Sequence, residues 1–77
     1  MKVDIISPDK LIYEGEADSL KLPGKDGSFG ILNNHAPIIA SLRAGTVVVK
    51  HNDSEQSFEV NGGVVEVVKN KVIILAD

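Results

Sequence analysis

A chain of 77 residues, 43% of them apolar, has room for one small core and no second domain. Eleven acidic residues outnumber eight basic ones for a net charge of −3, and the basic residues are scattered, which argues against nucleic acid or an anionic lipid surface as the main partner. With no cysteine there is neither a disulfide nor a thiolate metal site, and no apolar run approaches the roughly 20 residues of a membrane-spanning helix.

In chain order the sequence reads as short β-favouring runs bounded by turn residues. Met1-Lys2-Val3-Asp4 has the form of neither a signal peptide nor a transit segment. Val3 to Ile6 ends at Ser7-Pro8-Asp9, a turn with proline at its second position. Leu11 to Tyr13 resumes an extended run that Gly15 interrupts as a bulge would. Asp18, Leu20 and Leu22 then share one face, and Pro23-Gly24 and Asp26-Gly27 are consecutive turn signals. Phe29 and Ile31 alternate up to Asn33-Asn34.

Ala36 to Ala44 reads two ways. Asn34 as cap, Pro37 in the first turn and Gly45 after the end fit a short helix, while Ile38-Ile39 suits a strand equally well. Gly45 to Lys50 is rich in β-branched residues, and His51-Asn52-Asp53-Ser54 reads as a hairpin loop. Ser57 to Val60 runs into Asn61-Gly62-Gly63. Val64 to Val68 and Val72 to Leu75 flank Lys69-Asn70-Lys71, where Asn70 is suited to a positive φ. Strands at this spacing predict an all-β sandwich or barrel.

The chemistry-bearing residues do not assemble into a catalytic pattern. His35 has no second histidine at ligand spacing, and two distant histidines with scattered carboxylates do not make a zinc site. His35 reads instead as a structural or interface residue fixed by a backbone hydrogen bond. Glu14, Glu16 and Asp18 recur at period two and read as a solvated strand face. The serines include no nucleophile elbow, and Gly24, Gly27 and Gly30 lack the Lys-Ser or Lys-Thr ending of a phosphate loop. Neither an enzyme nor a cofactor is indicated. An alternative is a small β carrier domain, with Lys69 or Lys71 at a hairpin taking biotin or lipoate; the Met-Lys-Met or Asp-Lys-Ala triplet of carriers is absent.

Ser7-Pro8, Tyr13-Glu14-Gly15-Glu16, Leu22-Pro23-Gly24, Asp26-Gly27, Phe29-Gly30-Ile31-Leu32 and His35-Ala36-Pro37 occur in that order. Phe58 to Gly63, Val65-Glu66-Val67, Asn70 and Ile74-Leu75-Ala76-Asp77 follow. This succession resembles the epsilon subunit of the F-type ATP synthase across nearly the whole chain. The resemblance implies an epsilon-type β-sandwich over residues 1–77, with about ten short, mostly antiparallel strands in two sheets. It also implies that the segment after His35-Ala36-Pro37 is extended.

The function implied is that of a non-catalytic central-stalk subunit, peripheral on the cytoplasmic face of the bacterial cell membrane. It would couple proton-driven rotation of the c ring through gamma to ATP synthesis. By the same resemblance Gly27, Ser28, Phe29 and Gly30 face the c ring, and His35, Pro37, Ile38, Ile39 and Ala40 face gamma. Some relatives carry an acidic residue where this chain has Ser28, and Asp26 is the nearby carboxylate that could replace it. Typical members continue into two C-terminal inhibitory helices beyond the Leu-Ala-Asp segment; a chain ending at Asp77 is expected to lack that inhibition and ATP binding. An exposed apolar strip involving Ile38, Ile39 and Leu32 is expected as well.

Overall fold

Three tight turns close the hairpins that carry most of the chain. Asn52 and Asp53 both take positive φ (49° and 64°), as do Lys69 and Asn70 (50° and 59°). These are the paired left-handed residues whose twist matches two antiparallel strands. Lys25-Asp26 forms the third turn, completed by Gly27 at φ 136°. The computed structural model describes residues 1–77, and every regular element in it is a strand: β1 Lys2–Ile6, β2 Leu11–Glu16, β3 Ser19–Gly24, β4 Gly27–Leu32, β5 Ile38–His51, β6 Ser54–Val68 and β7 Lys71–Ala76.

The hydrogen-bonded order is β2-β1-β7-β6-β5-β3-β4, with β1 and β7 parallel and all other neighbours antiparallel. The expected ten or so short strands are therefore seven. The difference lies in β5 and β6, which are 14 and 15 residues long and serve both layers. The amino-terminal half of β5 and the carboxy-terminal half of β6 join β7, β1 and β2; their other halves join β3 and β4.

The passage between layers is visible in the side-chain parity. On β5 the sheltered residues are Ile38, Ala40 and Leu42, then Val47 and Val49; on β6 they are Phe58 and Val60, then Val65 and Val67. A uniform strand keeps its buried side at period two, so an even-to-odd change marks where it turns the other face inward. Gly45 and the Gly62-Gly63 pair (φ 127° and 141°) occupy that corner. They bend the strands and do not end them, whereas the sequence reading ran Ser57 to Val60 into Asn61-Gly62-Gly63 and put Gly45 after a possible helix or at the start of a β-rich run.

Ile5, Val65 and Ile74 of the first layer share one core of 16 residues with Leu22, Ile31 and Val47 of the second. All six are fully buried, and each contributes about 1.5–3 kcal/mol relative to exposure. Forty of the 46 backbone–backbone hydrogen bonds lie within the ladders, so the body is stiff across both layers.

One open reading is resolved as the resemblance implied, and three further expectations are corrected. Ile38 onward is strand, which resolves the two readings of Ala36 to Ala44 in favour of the extended one. Gly15 pairs regularly with Val3, and the register shift lies between Ile5 and Ile6, opposite Tyr13 and Leu11. What Gly15 accommodates is Tyr13, whose Oη would lie 2.9 Å from a Cβ there. Pro23-Gly24 is strand, paired with Ser28 and Gly27. Proline has no N–H for a second neighbour, and the β3–β5 register breaks between Lys21 and Gly24. Asp18 lies between β2 and β3 and is exposed, so it shares a strand face with neither Glu16 nor Leu20 and Leu22.

Candidate interaction surfaces

Pairing register assigns the outer face of the first layer. Ser41, Val64, Leu75, Ile6 and Leu11 are successive ladder neighbours across β5, β6, β7, β1 and β2. The adjacent row is Ile39, Glu66, Ile73, Asp4 and Glu14. Ile39 is 73% exposed, Leu75 54% and Leu11 53%, and Val64 and Ile6 are exposed too. The face is thus an apolar strip beside an acidic line, with Lys2 Nζ 3.9 Å from Asp4 and 3.8 Å from Glu14 at its rim. Lys2 and Glu14 are exposed while Asp4 is largely covered, and ion pairs at such distances contribute little where water reaches them.

Three depressions meet at Ile39. One, of about 400 Å³, lies between the β3–β4 turn and the start of β5, lined by Gly24, Asp26, Gly27, Phe29, Ile39 and Ala40. A hydrogen bond from the Lys25 N–H to the Ser41 carbonyl, 2.9 Å, fixes that turn against β5. The second, about 380 Å³, is bounded by Pro37, Ile38, Ile39, Glu66 and Val68. The third, about 170 Å³, lies among Ile39, Val64, Ile73 and Leu75.

Of the residues the resemblance assigned to two separate contacts, the structure brings Gly27, Phe29, Ile39 and Ala40 into one cleft. It separates others. Ser28 and Gly30 alternate with Phe29 and Ile31 and project from the second layer's outer side. His35 is half-buried in the β4–β5 connection, where its Nδ1–H donates to the Ala36 carbonyl at 2.6 Å, which is the backbone-fixed role expected of it. Ile38 is half-buried. Leu32 is 66% exposed, but it pairs with Ser19 on the second layer and is not continuous with the Ile39 strip.

The family pattern for the ATP synthase Delta/Epsilon chain, beta-sandwich domain, matches residues 1–77. The chain belongs to the ATP synthase delta/epsilon family. It is 46% identical over 77 residues to the ATP synthase epsilon chain of Leptospira borgpetersenii serovar Hardjo-bovis, covering all of this chain and 61% of that one. It is also 46% identical to the epsilon chain of Chlorobium limicola, covering 99% of this chain and 88% of that one. The chain therefore spans about three fifths of the length of the Leptospira relative and most of the Chlorobium one. A chain of the Euglena gracilis mitochondrial ATP synthase (OSCP/F1/c-ring, rotational state 1) superposes with a TM-score of 0.89 at 18% identity, covering 96% of this chain and 48% of that one. A chain of the Tetrahymena thermophila mitochondrial ATP synthase central stalk/c-ring gives 0.79 at 19%, covering 97% and 61%. At such identities these two show the shared fold. These matches do not support the carrier reading.

Within this epsilon-type sandwich, Val64, Ile73 and Leu75 are surface residues that motif reading missed. A signal was present: Val72 to Ala76 is apolar at every position, whereas a strand with one wet face alternates. Asn70 also does more than turn the chain. Its carbonyl accepts from the Lys2 N–H at 3.2 Å and its side-chain oxygen from the Asn34 N–H at 2.7 Å, which pins the His35 loop to the β6–β7 hairpin.

A second pin joins the layers' loops. The Asn52 N–H donates to Asp18 Oδ2 at 2.9 Å, His51 Nδ1 lies 3.5 Å from Oδ1, and the Asp18 N–H donates to the Lys50 carbonyl at 2.7 Å. The Asn52 hydrogen bond, with a smaller contribution from His51, holds the Asp18 carboxyl below its ordinary pKa. A pKa lowered on folding gives stabilisation that is complete above the unfolded value and lost as pH falls through the folded one. Asp18→Asn is therefore expected to flatten the acid limb of stability, read as the urea midpoint between about pH 6 and about pH 2. An acid limb identical to that of the unaltered chain would remove Asp18 from this role.

Proposed function

We propose that this sandwich is a rotor subunit of the F-type ATP synthase central stalk, docked on gamma through the Ile39 face and resting on the c ring at the β3–β4 turn. It would sit peripherally on the cytoplasmic face of a bacterial membrane and pass rotation between ring and shaft, with catalysis in other subunits. The observation that carries the reading is the exposed apolar strip Val64, Leu75, Ile6 and Leu11 with Ile39 beside it, which an isolated monomer has no reason to expose. Its acidic line would specify orientation more than affinity. A cross-layer ladder and dense core suit a part that transmits torque without deforming.

The shared cleft favours one compact footing near Ile39 for the two partners, with Gly27 and Phe29 on its turn side and Ile39 and Ala40 on its strand side. Among the residues of the resemblance, Pro37 and Ile38 extend the gamma contact through the adjoining groove, His35 supports it from the loop, and Ser28 and Gly30 offer the ring the opposite side of the turn. Affinity capture of the chain with its own synthase's purified gamma subunit and c ring tests this. Recovery of a stoichiometric complex is expected; no recovery with either partner would overturn the proposal.

A further inference from the structure

The outer face of the second layer carries a feature that the Ile39 strip does not explain. Lys21 of β3 and Arg43 of β5 flank a groove of about 300 Å³, floored by Pro23 and Gly45 and edged by the Ser28 and Thr46 hydroxyls. A second depression of about 260 Å³ continues it past Lys21 and Val48 to Lys50. Both share Lys21, so they form one trough with three cations along it.

The cations differ in how they are used. Lys50 Nζ lies 3.9 Å from Glu55, its cross-strand neighbour, and Glu59 accepts from Thr46 Oγ1 at 2.5 Å. Lys21 and Arg43 make no ion pair. In a chain of net charge −3, Lys21, Arg43 and Lys50 outnumber Glu55 and Glu59 at this trough, and Lys21 and Arg43 stand unpaired, so the groove carries a local excess of positive charge. Such a groove attracts carboxylates and steers them on approach. Arginine adds a planar fork that grips a carboxylate with two parallel hydrogen bonds.

We infer that this trough takes an acidic, extended peptide segment of a partner protein, with one carboxylate on Arg43 and another on Lys21. The groove's chemistry stands by itself; only the assignment of its partner to the rotor rests on the reading above. Glu55 lines the β6 side and Glu59 is the ladder neighbour of the lining Thr46; both would repel a continuous polyanion, so spaced carboxylates fit better than a nucleic-acid backbone or an anionic bilayer.

The isolated chain suffices for the test. An acetylated hexapeptide alternating glutamate and glycine is titrated into the isotopically labelled protein and followed by amide chemical shifts; its glutamine–glycine analogue is the control. Expected are saturable shifts clustered at Lys21, Ser28, Arg43 and Thr46, with none from the analogue and loss between about 20 mM and about 300 mM salt. Lys21→Glu with Arg43→Glu should weaken binding about tenfold or more; should that variant fail to fold, Lys21→Gln with Arg43→Gln gives the same comparison with less charge change. Equal shifts from the neutral peptide, shifts centred on Ile39, or insensitivity to salt would overturn the inference. So would tighter binding to phosphatidylglycerol vesicles or to an oligothymidylate. A failed capture by gamma and ring would leave these outcomes intact, which separates the two proposals.

Discussion

Gly63→Ala is expected to remove a large part of the domain's stability, about 3–5 kcal/mol. Two costs combine. Gly63 has φ 141°, a conformation that residues with a Cβ rarely adopt, and a Cβ there would sit 2.1 Å from the Leu75 carbonyl oxygen and 3.0 Å from the Ala76 Cα. Neither contact is the mobile end of a side chain, so relief requires β6 and β7 to part at the corner where β6 changes layers. A domain of this length has about 4–12 kcal/mol in total, so the variant should be marginal or unfolded in a urea titration. Gly30→Ala provides the comparison. The nearest atom to its Cβ would be the Leu20 carbonyl oxygen at 3.5 Å, an ordinary contact, and the change should stay within about 0.5 kcal/mol. If Gly63→Ala cost no more than Gly30→Ala, the corner would not be the rigid element described.

That corner also shows what local pattern could and could not convey. Strand class and turn positions were legible because they are set by neighbours: Asn52-Asp53 and Asn70 take left-handed conformations that short polar side chains tolerate. The continuity of β5 and β6 was not. Gly45 and Gly62-Gly63 look like strand ends in a one-dimensional reading, and only pairing across the full length of both strands shows that they bend a single hairpin. The ambiguity of Ala36 to Ala44 has the same origin, since Ile38 and Ile39 become strand by pairing with Val67 and Glu66, far along the chain.

The candidate site was half legible for a related reason. Ile39 stood out as an apolar residue in a punctuated stretch, but its companions Val64, Ile73 and Leu75 lie on other strands and become its neighbours through register. Leu32 illustrates the opposite error. It is as conspicuous in sequence as Ile39 and nearly as exposed, yet alternation on β4 sends it to the far side of the sandwich. The Asp18–Asn52 pin likewise joins residues 34 positions apart and has no local signature.

This division of faces yields the second large expected effect, loss of gamma binding in Ile39→Lys with Leu75→Lys. Both side chains are mostly exposed, so their replacement should cost the isolated domain little, within about 1 kcal/mol. Lysine at position 39 would face Glu66, its ladder neighbour, and so avoids the like-charge repulsion that an aspartate would add. In a complex, each position would place an ammonium in a dehydrated apolar contact, a cost of about 2 kcal/mol or more at a well-packed site. Together they should weaken binding to gamma about a thousandfold, measured by calorimetry with gamma alone. Leu32→Lys makes the same chemical change at a residue 66% exposed on the other layer, and should leave gamma affinity unchanged. The reverse pattern, with Leu32→Lys defective and the double variant intact, would move the shaft to the second layer. Gamma would then cover Lys21 and Arg43, and the Ile39 strip would belong to another partner.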